Sequence, residues 1–171
     1  MYNWQKVNTF VPMKEVKHFR ERAESHGVCS EYAKLWDDCQ SKKQVVDLAL
    51  RSGCTPYVCK SIAEDWGVSP TYIADKFRAF VNDRYISQQD GYDAKMYCCH
   101  NSDMVADTTN NVIIDCQGNI DVPQGNVCEI HIVDSSCYID SEGKGVCVVV
   151  KYGNCNITFG DNIKYHVKNG V

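Results

Sequence analysis

The sequence predicts an α+β protein, with a helical N-terminal domain at residues 1–90 and a repetitive all-β domain at residues 91–171. Three observations carry that prediction. Up to about Arg84, apolar residues recur at helical spacing and capping residues separate the runs. From Val112 to Val167 the period falls to two, in short runs rich in Val, Ile, Tyr and Thr. Those runs also align on cysteine: Cys128-Glu-Ile-His, Cys137-Tyr-Ile-Asp, Cys147-Val-Val-Val and Cys155-Asn-Ile-Thr share one form.

In chain order, Pro12 suits the first turn of a helix running to about Ser25, with Val16, Phe19 and Ala23 on one face. His26-Gly27 ends it. Ser30 caps a second helix, Glu31 to Cys39, with Tyr32, Leu35 and Trp36 on its apolar side. Ser41-Lys-Lys-Gln44 reads as a capping box ahead of Val45, Val46, Leu48 and Ala49, and Gly53 stops that helix. Thr55-Pro56 starts the fourth helix, which runs to Trp66. Ser69-Pro70 starts the fifth, to about Arg84, with Tyr72, Ile73, Phe77, Phe80 and Val81 apolar. Residues 87–95 are polar, contain Gly91 and read as a linker.

In the second half, the cysteines recur at nearly even steps, at positions 128, 137, 147 and 155, and Ile163-Lys-Tyr-His closes the series without one. Cys and Ile/Val lie two apart, so they share a strand face. Turn residues separate the runs, at Asp134-Ser-Ser, Glu142-Gly-Lys-Gly, Gly153-Asn and Gly160-Asp-Asn. A strand–corner repeat of this kind suits a β-solenoid with the four cysteines stacked inward as one ladder. The spacing also suits a small antiparallel sandwich; the phased cysteines favour the solenoid.

The net charge of −4 is unevenly placed. Residues 1–93 carry 13 Lys/Arg and 13 Asp/Glu, whereas residues 94–171 carry 5 and 9. A dedicated DNA-binding domain has a basic footprint, and net charge supplies none here. No run approaches the roughly 20 apolar residues of a membrane helix. Met1-Tyr-Asn-Trp-Gln-Lys lacks the apolar core of a secretory signal. Eleven cysteines, an odd number, cannot all pair within the chain. These features predict reduced thiols and a cytoplasmic setting in a host cell.

Ser61 to Phe77 reads as two short helices joined by a turn at Gly67, with Ala63 at the crossing and Val68 and Ile73 in the crease. A helix-turn-helix of this form would offer Ser69, Thr71, Tyr72, Asp75, Lys76 and Arg78 to nucleic acid, with Lys60, Lys42, Lys43 and Arg51 on phosphates. Against it, Lys60 to Arg84 holds four basic and four acidic residues, and Asp75 would repel phosphate. An ordinary helical hairpin has the same caps. This short segment alone resembles the helix-turn-helix of AraC-type regulators, an Ile-Ala-x-x-x-Gly-Val-Ser core followed by an aromatic residue (Tyr72) and a later Phe (Phe77); Trp66 departs from the pattern. The whole chain resembles small uncharacterised proteins of gut anaerobes and their phages, which implies a mobile-element context.

His26-x-x-Cys29, Cys54-x4-Cys59 and Cys98-Cys-His100 are possible zinc ligands, but none has the paired spacing of a structural site, so no metal and no cofactor is expected. Cys98, Cys99, His100, His131 and His166 could supply a Cys–His pair, yet no signature flanks them. The aromatic groups Trp4/Phe10/Phe19 and Trp36/Trp66/Tyr72/Phe77 fall on helical faces and read as core.

The expected role is therefore non-enzymatic: an inhibitor-like regulatory protein that binds a host protein or nucleoprotein complex. Glu129, Asp140 and Asp161 of the acidic β half are the candidate contacts. A helix-turn-helix DNA-binding regulator and a virion structural protein are the alternatives.

Overall fold

A computed structural model describes residues 21–28 and 30–170 of the 171-residue chain. Most of the expected first helix, the Trp4/Phe10/Phe19 group and Cys29 lie outside the described residues; residues 21–25 are helical. Four further helices follow: α1 (Ser30–Asp37), α2 (Lys42–Ala49), α3 (Thr55–Ala63) and α4 (Pro70–Lys76). A 3-10 turn, Arg78–Phe80, leads into ten strands. These are β1 (Ser87–Gln89), β2 (Tyr92–Cys98), β3 (Met104–Val105), β4 (Asn110–Ile114), β5 (Gln117–Asp121), β6 (Val127–Val133), β7 (Ser136–Asp140), β8 (Gly145–Tyr152), β9 (Asn156–Phe159) and β10 (Ile163–Asn169).

From β2 onward the chain coils between two parallel sheets. The larger has order β1-β2-β4-β6-β8-β10 and the smaller β3-β5-β7-β9. The register runs Ala94, Asn110, Glu129, Val148, His166, so each coil returns to the larger sheet after a nearly constant length of chain. This is a β-solenoid-like architecture behind a helical N-terminal region, as the hydrophobic period predicts. The step from one cysteine to the next is half a coil. Cys128 and Cys147 are register partners on β6 and β8, Cys137 lies on β7 of the facing sheet, and Cys155 stands just before β9. The expected single ladder is thus divided between two sheets. Both inner faces meet in one core, so both call for the same small apolar residue. Cys128, Cys137 and Cys147 are buried there with Ile130, Ile132, Ile139 and Val149; Cys155 is half-buried, and all four are free thiols.

The corners repeat too. Each strand of the larger sheet from β2 to β8 is followed directly by a residue with left-handed φ: Cys99 (+51°), Asp115 (+48°), Asp134 (+46°) and Gly153 (+66°). Asp tolerates this region better than most residues. At Gly153 nothing larger fits, since an added Cβ would collide with Asp134 Oδ1. That same Oδ1 accepts from Asn154 N at 2.7 Å.

The helices cover the outer face of the larger sheet. Val46, Leu50, Cys59, Ile62, Ile73 and Phe77 share one core with Met96, Val112, Ile114, Val133, Val150 and Tyr152. α3 lies against β6 and β8, and α4 against β2. Local signals hold at several starts. Ser41 caps α2 by accepting from Gln44 N at 3.2 Å. Ser69 caps α4 by accepting from Tyr72 N at 3.3 Å, with Pro70 in its first turn.

Three expectations are corrected. The helix at Ser69 ends at Lys76 rather than near Arg84: Phe77 leaves helical geometry, and Asn82 and Asp83 take φ of +57° and +63°. That break lets Phe77 and Val81 enter the shared core. The helix from Thr55 ends at Ala63, because Asp65 turns left-handed at φ +57°. Residues 87–95 are no linker: β1 and β2 pair antiparallel, Ser87 with Ala94, across Asp90-Gly91. Gly91, at φ +89°, supplies the left-handed position of this two-residue turn, and Asp-Gly between two strands is a hairpin signal in the sequence.

Candidate interaction site

Along the smaller sheet, alternate residues point out. Gln117, Asn119 and Asp121 of β5 stand in register with Ser136, Tyr138 and Asp140 of β7, and Asn156 and Thr158 of β9 continue the first two rows. None of β3, β5, β7 and β9 carries a lysine or arginine. At one end of the face Asp121 and Asp140 are neighbours, and Asp161 in the following turn lies close to Tyr138 and Asp140. Asn119 donates to Asp103 at 3.1 Å, and the Tyr138 hydroxyl donates to Asp140 Oδ2 at 3.2 Å. That bond to a carboxylate pushes the Tyr138 phenol above its usual range. Asp140 also accepts from Asn162 N at 3.4 Å, so it pins the turn as well as contributing charge. The result is a polar face with carboxylates along one margin.

Glu129 is elsewhere, on β6 of the larger sheet. Its Oε1 is 2.6 Å from His131 Nε2 and its Oε2 is 3.8 Å from Lys168. His131 is buried, and its Nδ1 lies 3.1 Å from the Tyr152 hydroxyl. Burial pushes the His131 pKa down against the pull of Glu129. The neutral tautomer with Nε2–H to Glu129 and Nδ1 accepting from Tyr152 uses both ring nitrogens. Asp140 and Asp161 thus form one group, and Glu129 a separate one.

The nucleic-acid candidates are also split. Lys60, on α3, lines a cleft with Glu64, Lys151, Gly153 and Asn169 beside β8 and β10, and pairs with Glu64 at 4.0 Å. Lys76 ends α4, which lies over β2, and Arg78 follows in the 3-10 turn. Between β2 and β8 stand β4 and β6, a separation of roughly 14 Å. Lys60 and Lys76 therefore stand over different strands of the larger sheet. Lys76 is 3.1 Å from Asp75, and its carbonyl accepts from Lys42 Nζ at 2.7 Å. Thr71 and Arg78 are exposed, Ser69 is engaged as the cap, and Tyr72 is half-buried against the core. Ala63 is 3.3 Å from where a Cβ on Gly153 would stand, so it packs on the solenoid corner. At Gly67 the close neighbour is Ser61, whose Oγ would collide with an added Cβ.

Among the described residues no group of three or more His, Cys, Asp or Glu is arranged to hold a metal ion. Cys54 and Cys59 are buried in different clusters. Cys98 is buried while its neighbour Cys99 is exposed, with Sγ atoms 4.0 Å apart. Burial and the nearby Asp115 push the Cys99 thiol up, the reverse of an activated nucleophile.

Sequence reasoning missed one cluster. Lys95 is buried, with its Nζ 2.7 Å from Asp83 and 2.6 Å from Asp107, and beside the Tyr97 ring. It closes the first coil. Its signal would have been a lysine in the middle of the apolar-flanked Ala94-Lys-Met-Tyr97 run.

Comparison with protein-family models, curated proteins and solved structures returns no match.

Proposed function

We propose that this protein is a non-enzymatic, inhibitor-like interaction protein of a mobile element. Its partner is a host protein or nucleoprotein machine, onto which it docks the outer face of the smaller sheet. The observation that carries this reading is the carboxylate margin Asp121, Asp140 and Asp161 on a sheet whose strands hold no lysine or arginine. A basic surface, such as one that otherwise meets nucleic acid, is the complement. Charge of this kind speeds association and selects the partner more than it adds affinity.

The test compares capture of partners from the native host by three baits. These are the wild type, Asp121→Lys/Asp161→Lys, and Lys76→Glu/Arg78→Glu. Asp140 is spared because it pins a turn. The reading expects the second bait to lose the partner and the third to keep it. Loss by the third bait alone, together with salt-sensitive binding of naked duplex, would favour the DNA-binding alternative.

A further inference from the structure

The two ends of the solenoid differ. At the first coil, Tyr97 and Lys95 are buried, closed over by Asp83 and Asp107, and β1 pairs along β2. At the last coil, among the described residues, β10 is bonded to β8 alone and β9 to β7 alone. The inward row there is incompletely covered. Tyr165, in register with the buried Cys147, is 52% exposed and stacks on Phe159 with centroids 3.6 Å apart. Ile157, Phe159 and Val167 are only half-buried. The outward row of the same strand is Lys164, His166 and Lys168, all exposed.

An edge with free N–H and C=O groups and a half-covered apolar row is a template for another strand. Its chemistry selects the occupant. Antiparallel pairing with a second β10 centred on His166 would set Lys164 against Lys168 on each side, and like charges across a pair are destabilising. An acidic strand meets the opposite condition.

We propose that the free edge of β10 is a strand-addition site for an extended partner segment with acidic residues at alternate positions and apolar residues between them. The backbone of that segment bonds to β10. Its apolar side chains cover Tyr165, Phe159 and Val167, and its carboxylates lie beside Lys164 and His166. This surface is separate from the acidic face of the smaller sheet and opposite in sign.

The test uses the full chain and fluorescein-labelled octapeptides in anisotropy titrations. An alternating Glu–Val peptide should bind saturably and weaken as salt rises. An alternating Lys–Val peptide should not bind, nor should the Glu–Val peptide N-methylated at alternate amides. Lys164→Glu/His166→Glu should weaken Glu–Val binding by about tenfold or more and admit the Lys–Val peptide. Circular dichroism of that variant, in which both changes are at exposed positions, should match the wild type. Equal binding of the two peptides, undiminished binding of the N-methylated one, or no saturable binding would each overturn the proposal. So would a dimer in sedimentation that the Glu–Val peptide fails to disperse.

Discussion

Lys95 shows how a single buried charge closes one end of the fold. Its ammonium is buried, while the carboxylates it meets, Asp83 and Asp107, remain about half exposed. Burial alone would push its pKa down, but the bonds to Asp107 and Asp83 raise it. The two sides of the cluster are therefore unequal. Lys95→Met leaves carboxylates that water can reach, and should cost about 1–3 kcal/mol in urea unfolding. Asp83→Asn/Asp107→Asn strands a buried ammonium and should cost more, about 3–5 kcal/mol. Equal losses would contradict the assignment. Acid stability follows from similar groups. Burial pushes the Asp83 and Asp47 carboxyls up, but hydrogen bonds, from Lys95 and Tyr97 and from Lys43, Tyr85 and Ser87, hold both below the ordinary 3.8. Asp93 is held low chiefly by the Thr109 backbone N–H. With folded values below 3.8, the unfolded chain binds more protons there. These contributions are complete above that pH and are lost as pH falls through the folded values. His131, also depressed, begins to withdraw stability earlier, below 6.5. A urea midpoint followed from pH 7 to 3 should fall in two stages, and His131→Gln should remove the first.

At the scale of elements, the repeat was legible because its spacing is short and chemical. Cys-x-Ile/Val marks the inward-facing half-coils, and the shift in period at the β half needs no long-range information. The division of the cysteines between sheets was not legible, since the same half-coil step serves both faces. Helix starts at Ser41, Thr55 and Ser69 were readable from caps and prolines. Their ends were not, because Asp65, Asn82 and Asp83 break the helices by tertiary demand. The hairpin at Asp90-Gly91 was readable and was outweighed by the polarity of its flanks. The corner at Gly153 belongs to this scale. Its φ of +66° and the close approach of Asp134 predict that Gly153→Ala costs about 1–3 kcal/mol, measurable by thermal unfolding. The thiols give a second check. Burial raises Cys128 and Cys137 to about 12, and Cys116 and Cys147 to about 11. Among the described cysteines, the exposed Cys99 should react with a thiol reagent ahead of these four, which should react only on unfolding. Prompt modification of Cys128 or Cys147 would contradict the buried rows.

On the scale of the whole molecule, the helices and the larger sheet share one core, so Val112, Ile114 and Val150 are covered only while the helices are docked. Unfolding should therefore be a single cooperative transition seen alike by tryptophan fluorescence and by far-ultraviolet circular dichroism. Two separated transitions would mean the helical and β parts fold independently. The same docking engages one side of α3 and α4 with the solenoid and leaves Lys60 on a different part of the surface from Lys76 and Arg78. On the outer face of the smaller sheet, by contrast, Gln117, Asn119, Ser136, Tyr138, Asn156 and Thr158 are exposed, with the half-buried carboxylates of Asp121 and Asp140 at one margin. The candidate site was half legible. The acidic excess after residue 94 pointed to the β half, and Asp140 and Asp161 fell together, but Glu129 went to the other sheet because strand parity and coil phase fix the face. The most direct measurement is carbodiimide footprinting of exposed carboxylates, free and in the complex captured from the native host. Asp121, Asp140 and Asp161 should become protected in the complex while Asp75 on α4 stays labelled. Protection of Asp75 with the three aspartates of the sheet still labelled would contradict this docking face.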